Sequence, residues 1–132
     1  MTIDRISNML SSLKNATMAR KAIVETFHTK ECEAIAKLLQ EKGFLAEVKT
    51  FKPKETPYKM LHLKISADGK TFNINDIKRI SKPGRRIYRK SEEIGLSKEG
   101  FGIFVISTSR GIMDGESARK KKLGGEMICE VF

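Results

Sequence analysis

Residues 103–132, with the sequence IFVISTSRGIMDGESARKKKLGGEMICEVF, decide how the C-terminal part of this chain folds. The apolar, β-branched run at 103–107 predicts a buried strand, and the segment 126–132 predicts a second one. Between them, Asp114 is a favourable N-cap residue for a short helix. The lysines at 120–122 lie near the negative end of the dipole of that helix. The stretch therefore predicts a strand, a short helix and another strand.

The N-terminal half of the chain alternates between helical and extended patterns. Apolar residues at three- and four-residue spacing predict a helix over 4–21, which Thr2 or Asp4 can cap. The β-branched segment 23–27 predicts a strand. A second helix is expected to begin at Thr29, which is a suitable capping residue.

Gly43 stands where the second helix needs a left-handed residue in order to end. The segment 44–51 that follows is extended in character, and the strict alternation at 61–65 predicts a half-buried strand. A turn at 68–69 lets residues 71–74 return as the hairpin partner of that strand. The first module is therefore predicted to be an αβαβββ unit.

The composition changes in the second half, where eight of the ten glycines lie at or beyond Gly84. One more strand is expected there, over 86–89. We therefore predict an α+β fold of two small modules without a flexible linker. An N-terminal αβαβββ unit over residues 1–75 is expected to pack against a mainly β unit with a short helix over 76–132.

The chain carries a large excess of positive charge. Lysine and arginine total 26 against 16 aspartate and glutamate, which gives a net charge of +10. This excess favours a polyanionic partner, with nucleic acid first and an acidic membrane surface second. No apolar run is long enough to span a membrane, and no secretion signal is evident. Two distant cysteines, Cys32 and Cys129, indicate a reducing compartment and hence a soluble, cytosolic protein.

The run 78–90 contains seven basic residues and no acid. Because like charges repel, such a run favours an anion supplied from outside. Alternation along an extended segment puts Arg86 and Tyr88 on one face, where the ring can stack on a base while its neighbours hold phosphate. The alternative is a solvated edge strand that its charge protects from aggregation.

Two further segments can contact nucleic acid. The three hydroxyls at 107–109 fit the shallow minor groove of A-form RNA, and Arg110 can hold a phosphate. The alternative is a Ser/Thr turn that bonds its own backbone. The glycines at 124–125 permit close approach of a ligand, and Glu126 can accept hydrogen bonds from base amino groups. The alternative for this second segment is a plain helix-to-strand turn.

Catalytic, metal and cofactor sites are not expected. Gly100 and Gly102 begin like a dinucleotide fingerprint, but Val105 occupies the third glycine position. No serine lies in a GxSxG elbow, and His28 and His62 have no evident triad partner. The two cysteines and two histidines lack the spacing of zinc ligands, and no pair of carboxylates stands out.

Together these motifs resemble the small ribosomal subunit protein eight (S-eight) family of the bacterial type, nearly from end to end. The resemblance is carried by DRISNML and LKNA near the start, RISKPGRRIY in the middle, and GI, ISTSRGIM, ESARK and GGEMIC in the C-terminal half. Each motif alone is weak, whereas their order along the chain is specific.

The resemblance implies a non-enzymatic constituent of the small ribosomal subunit that binds the central domain of its rRNA directly and supports assembly. It implies that the hydroxyls at 107–109 enter an rRNA minor groove beside the segment 124–126, while the N-terminal module touches a second RNA region. The residues expected to contact rRNA are Lys14, Asn15, Lys21, Arg86, Tyr88, Ser107, Thr108, Ser109, Arg110, Gly111, Gly124, Gly125 and Glu126.

Neighbouring small-subunit proteins are the other expected partners, and some members of the resembled family also bind their own messenger RNA. The expected location is a ribosome, in the cytoplasm or in an organelle. One alternative function is a translational repressor or general RNA-binding regulator that acts on messenger RNA. A peripheral membrane protein is a second alternative, but the helix at 4–21 carries only four cations.

Overall fold

The computed structural model describes residues 4–132, which divide into two compact units. The first unit ends at Asn75, and the second covers Asp76–Phe132. In chain order the first unit contains α1 (Arg5–Met18), β1 (Ile23–Phe27), α2 (Lys30–Glu41), β2 (Glu47–Phe51) and β3 (Met60–Lys64). The second contains β4 (Ile77–Arg79), β5 (Tyr88–Arg89), β6 (Ile103–Thr108), β7 (Gly111–Asp114), α3 (Gly115–Lys120) and β8 (Gly125–Val131), with short 3-10 turns at Ser91–Glu93 and Lys98–Gly100.

Side-chain caps fix the starts of both long helices, as predicted. The Asp4 carboxylate accepts a hydrogen bond from the Ser7 N–H at 3.0 Å, whereas Thr2 lies outside the described residues. The Thr29 hydroxyl caps α2 by accepting from the Cys32 N–H at 3.0 Å. Gly43, with φ +87°, follows the end of α2 in the left-handed conformation expected of it.

The sheet of the first unit is antiparallel, with the strand order β1-β3-β2. Val24 and Val48 both lie opposite Leu63, so their side chains share one face of the sheet. Helix α1 packs on β1 and helix α2 on β2. Met9, Leu13, Ile35 and Leu39 of the two helices are completely buried, and so is Leu63. On the other face of this sheet the strand residues are exposed or partly exposed, and none is buried.

The prediction of a further strand at 71–74 was wrong, because that segment has no strand partner. Strand β3 is already hydrogen-bonded on both edges, to β1 and to β2, and has no free edge for a hairpin partner. The Asp68 carboxylate accepts from the N–H groups of Lys70 and Thr71, both at 2.8 Å, and these bonds hold the pKa of that carboxyl well below its usual range. The turn leads the chain away to Asn73, whose amide donates to the Gly43 carbonyl at 2.8 Å. The first unit is therefore αβαββ.

The second unit is built around β8. The sheet order is β4-β8-β6-β7, and β5 also pairs with β8. Ile94, Ile106, Ala118 and Met127 form its buried core. The predicted strands at 103–107 and 126–132 and the helix after Asp114 are confirmed, whereas the strand predicted at 86–89 is reduced to Tyr88–Arg89. Strands β4 and β7 were not predicted, because each is too short to show an alternating pattern.

Ser81 holds the cationic loop between β4 and β5. Its side chain is completely buried, donates to the Ile87 carbonyl at 3.2 Å and accepts from the Ile87 N–H at 2.9 Å. Within the loop, the backbones of Lys82 and Arg85 exchange two hydrogen bonds, of 3.0 and 2.9 Å. A single buried hydroxyl therefore fixes the segment that carries Arg85 and Arg86.

Helices and two antiparallel sheets in these units confirm the predicted α+β fold class. Within residues 4–132, no helix combines the length and the apolar character needed to cross a bilayer. The two cysteines are free thiols, and both are buried.

We expect the Cys129 thiol to be unreactive in the folded protein. Burial raises the pKa of Cys129 from its ordinary value of 9.0 to about 12, so the thiolate is scarce at pH 8. In a Cys32→Ala variant, a disulfide reagent should label Cys129 only after denaturation. Because the unfolded state loses this proton first, the free energy of unfolding should also fall as the pH rises above 9. Rapid labelling of the folded variant at pH 8 would contradict this account.

Replacing Ser81 should destabilise the second unit. Ser81→Ala removes both hydrogen bonds to Ile87. The carbonyl of Ile87 still accepts from the Met127 N–H, but its partly buried N–H loses the Ser81 hydroxyl, which costs about 1–3 kcal/mol. Urea unfolding measures this change, and Ser11→Ala on the exposed side of α1 is the matched control. Equal stability of the two variants would show that Ser81 does not hold the loop.

Candidate nucleic-acid interface

Strand pairing brings together three segments that are distant in the sequence. Glu126 on β8 lies opposite Tyr88 on β5 at one edge and opposite Ser107 on β6 at the other. Directly opposite residues of antiparallel strands are about 4.5–5.5 Å apart between Cα atoms. We call these three residues the outer row. The structure therefore places one residue from each of the three predicted RNA-contacting segments side by side.

The outer row lies on the face of the sheet away from the core. Ile106 and Met127 are paired with each other and belong to the core, so the neighbouring Ser107 and Glu126 point to the opposite face. Tyr88 is 64% exposed. The row therefore presents an aromatic ring, a carboxylate and a hydroxyl on one surface.

Arg86 completes this surface, as the alternation of the basic run predicts. Its guanidinium donates to the Glu126 carboxylate, with 3.0 Å between Nη1 and Oε2. Almost half of the Arg86 side chain remains exposed, so part of the guanidinium is open to a phosphate. The carboxylate expected to accept from a base is thus already oriented by a cation.

The three hydroxyls do not play equivalent structural roles. Ser109 and Arg110 form the exposed two-residue turn between β6 and β7. The Thr108 hydroxyl donates to the Gly111 carbonyl at 2.8 Å and accepts from the Arg110 N–H at 3.2 Å. Thr108 therefore stabilises the turn, in agreement with the alternative Ser/Thr-turn interpretation for this one residue. Ser109 and Arg110 occupy the tip.

The paired glycines are required by the protein's own backbone. A Cβ atom at Gly125 would lie 2.1 Å from the Ser107 carbonyl oxygen, and one at Gly124 would lie 2.6 Å from the Arg89 carbonyl oxygen. Both distances are impossible for real side chains, so these positions must be glycine for β8 to fit between its neighbours. The close approach of the protein backbone to a ligand that the sequence predicted is a separate expectation, which these distances do not test.

Two features of this surface are not predicted by the sequence motifs. Ser81 positions the cationic loop, but a lone serine within a basic run carries no signal of that role. Lys121 and Lys122 are exposed directly after α3, just before the paired glycines. Their position predicts a favourable interaction with the helix dipole, and two adjacent lysines before a pair of glycines also indicate a cationic surface.

The three N-terminal candidates belong to the first unit. Lys14, Asn15 and Lys21 are all exposed, on α1 and just after it. Asn15 and Lys21 line one shallow depression of about 380 Å³ beside β1, together with Ser12 and Ile23. Lys14 is not part of that lining.

Ionisable side chains elsewhere form local pairs. Nε2 of His28 lies 3.2 Å from Oε1 of Glu33, and Nδ1 of His62 lies 3.4 Å from Oε2 of Glu25. Over residues 4–132, no three side chains of histidine, cysteine, aspartate or glutamate gather as a metal site.

Comparison with known proteins identifies the family of this chain. The family model described as ribosomal protein S8 matches residues 4–132. The protein named small ribosomal subunit protein uS8c of Thalassiosira pseudonana is 39% identical over 132 residues and covers 100% of both chains. Two proteins named small ribosomal subunit protein uS8 are also similar. That of Dictyoglomus turgidum is 41% identical over 129 residues, which is 98% of this chain and 97% of the relative, and that of Nitratiruptor sp. is 37% identical over 100% of both. The resemblance inferred from the sequence is thereby confirmed, and this chain belongs to the ribosomal protein S8 family.

Proposed function

We propose that this chain is a structural constituent of the small ribosomal subunit that binds the central domain of its rRNA and supports assembly. Membership of the ribosomal protein S8 family supports the assignment to the small ribosomal subunit. The net charge of +10 supports a nucleic-acid partner. The second unit, Asp76–Phe132, is the main rRNA-binding module. This function needs no catalytic group, because shape and charge perform the binding.

The outer row is the single observation that carries this proposal. Strand pairing alone puts Tyr88, Glu126 and Ser107 in line, although they come from three separate segments. The wide, shallow minor groove of A-form RNA displays 2′-hydroxyls and base edges, which the hydroxyl and the carboxylate of this row can reach. Ser109 at the adjacent turn extends the same set of hydroxyls.

Selectivity and affinity come from different groups. The hydroxyls and the Glu126 carboxylate make directional hydrogen bonds, so they distinguish one RNA shape from another. Arg86, Arg110 and the cations of the run 78–90 supply affinity by releasing counterions from phosphates. A messenger RNA that folds into the same shape is bound by the same row, which makes binding of the protein's own messenger a secondary outcome of one site.

The first unit contributes a second RNA contact. Asn15 and Lys21 share one depression, where the amide can bond a sugar or base edge while the ammonium group holds a phosphate. Lys14 is exposed on α1, directly before Asn15, and adds positive charge. Neighbouring small-subunit proteins complete the set of partners in the assembled ribosome.

Ser109→Ala tests the minor-groove contact. The substitution should weaken binding to a folded fragment of the rRNA central domain by about 1–3 kcal/mol, because an RNA group loses its partner in a desolvated interface. The slope of affinity against salt should stay unchanged, since no charge is removed. Filter binding over a salt series measures both quantities, with Ser11→Ala as the matched control. If the two variants bind equally, the hydroxyl turn does not select RNA.

Arg86→Ala tests the electrostatic contact. It should reduce the magnitude of the salt slope by somewhat less than one unit, the amount expected for one lost phosphate contact. The same titration with Lys70→Ala, which removes an exposed cation from the first unit, should show the parental slope. An unchanged salt slope for Arg86→Ala would show that the basic run is a solvated strand edge and does not contact phosphate.

A further inference from the structure

The uncovered face of the first unit's sheet carries an apolar row. Phe27 on β1 and Phe51 on β2 both lie opposite Met60 on the central strand β3. The paired residues point to the same side, away from the buried side that contains Leu61 and Leu63. An apolar row crosses the whole width of this sheet, on the side opposite its helices.

Aromatic rings on this face are open to solvent. Phe27 is 41% exposed and Tyr58, just before β3, is 59% exposed. The two rings meet edge to face, with 6.2 Å between centroids and 88° between planes. The guanidinium of Arg5 lies over Phe27, 4.1 Å from its centroid. We call Phe27, Phe51, Tyr58, Met60 and Arg5 the aromatic face.

The surroundings of the aromatic face are cationic. Residues 49–64 contain five lysines and one glutamate. Lys52, Lys54 and Lys59 are exposed in the stretch between β2 and β3 that carries Tyr58. On the sheet itself, Glu25 already faces His62 at 3.4 Å and Glu47 faces Lys49 at 2.9 Å. The local excess of charge is therefore positive and complements a polyanion.

We propose that the aromatic face binds an unpaired, single-stranded segment of RNA. Every nucleobase has a π face that can stack on tyrosine, phenylalanine or the plane of an arginine, and the backbone between bases needs cations. The negative charge of the RNA backbone complements the positive charge of the lysines that flank the rings. The choice of RNA rests on the proposed function, whereas the site lies in the first unit and uses none of the residues assigned to rRNA binding above.

Tyrosine fluorescence gives a direct test, because the chain has two tyrosines and no tryptophan. In full-length Tyr88→Phe protein, Tyr58 is the sole tyrosine. Addition of decaadenylate should quench its emission in a saturable manner, with the same midpoint as the anisotropy of a labelled copy of that oligonucleotide. If the oligonucleotide saturates the protein and the emission does not change, no base stacks on Tyr58 and the proposal fails.

Two substitutions at Tyr58 separate stacking from simple apolar contact. In otherwise wild-type protein, Tyr58→Phe should keep the affinity for decaadenylate, whereas Tyr58→Leu should weaken it about five- to a hundredfold. Phe101→Leu removes an 86% exposed ring from the second unit and should have no effect. Unchanged thermal unfolding of each variant verifies its fold. Equal affinity of the leucine and phenylalanine variants at Tyr58 would overturn the proposal and leave the face as a protein-docking surface.

The two proposals fail separately. If decaadenylate does not quench Tyr58, but Ser109→Ala still weakens binding to the folded rRNA fragment, only the proposed single-stranded site is wrong. If decaadenylate quenches Tyr58, but Ser109→Ala binds the folded rRNA fragment normally, the minor-groove role of the second unit is wrong. The proposal for the aromatic face then still stands.

Discussion

The second unit depends on how tightly β8 lies between its neighbours. At Gly125 the backbone of β6 is so close that a single methyl group would lie 2.1 Å from the Ser107 carbonyl oxygen. Gly124 is similarly confined by the carbonyl of Arg89, the last residue of β5. A side chain at either position would push one neighbouring strand away and break the alignment of Tyr88, Glu126 and Ser107. The surface assigned to RNA therefore exists because two adjacent residues have no side chain. The same constraint accounts for both glycines from the protein's own backbone.

Much of the fold could be predicted from periodicity, because α1, α2, β1, β6 and β8 each carry enough apolar residues to show their repeat. The strand predicted at 71–74 does not form because of tertiary structure. The second edge of β3 is already paired with β2, which lies earlier in the chain. Strands β4 and β7 have three and four residues, and they form because longer strands offer them edges. The motifs predicted which segments carry the candidate site residues. It could not reveal that Arg86 bonds Glu126, because 40 residues separate the two.

Opposite charges within the site have a positioning role. The Arg86–Glu126 pair is partly exposed, so it contributes little to the free energy of folding. Its effect is to hold a carboxylate and a guanidinium in fixed places beside Tyr88. Ser81 acts in the same way on the loop that precedes Arg86, through one hydroxyl that bonds both backbone groups of Ile87. Charged groups that are already ordered lose less conformational entropy on binding, which favours recognition of one shape over loose attraction to any polyanion.

Strand β8 comes last among the elements of the described chain, yet it occupies the interior of its sheet, between β4 or β5 on one side and β6 on the other. During synthesis, the earlier strands have no partner along that edge until residues 125–131 have left the ribosome. The pairings of β4, β5 and β6 within this sheet therefore all depend on β8. Without β8, Tyr88 and Ser107 lose Glu126, the residue that lies between them and aligns the outer row. Three segments that are distant in the sequence therefore share one structural dependence, and any change that displaces β8 separates all of them at once.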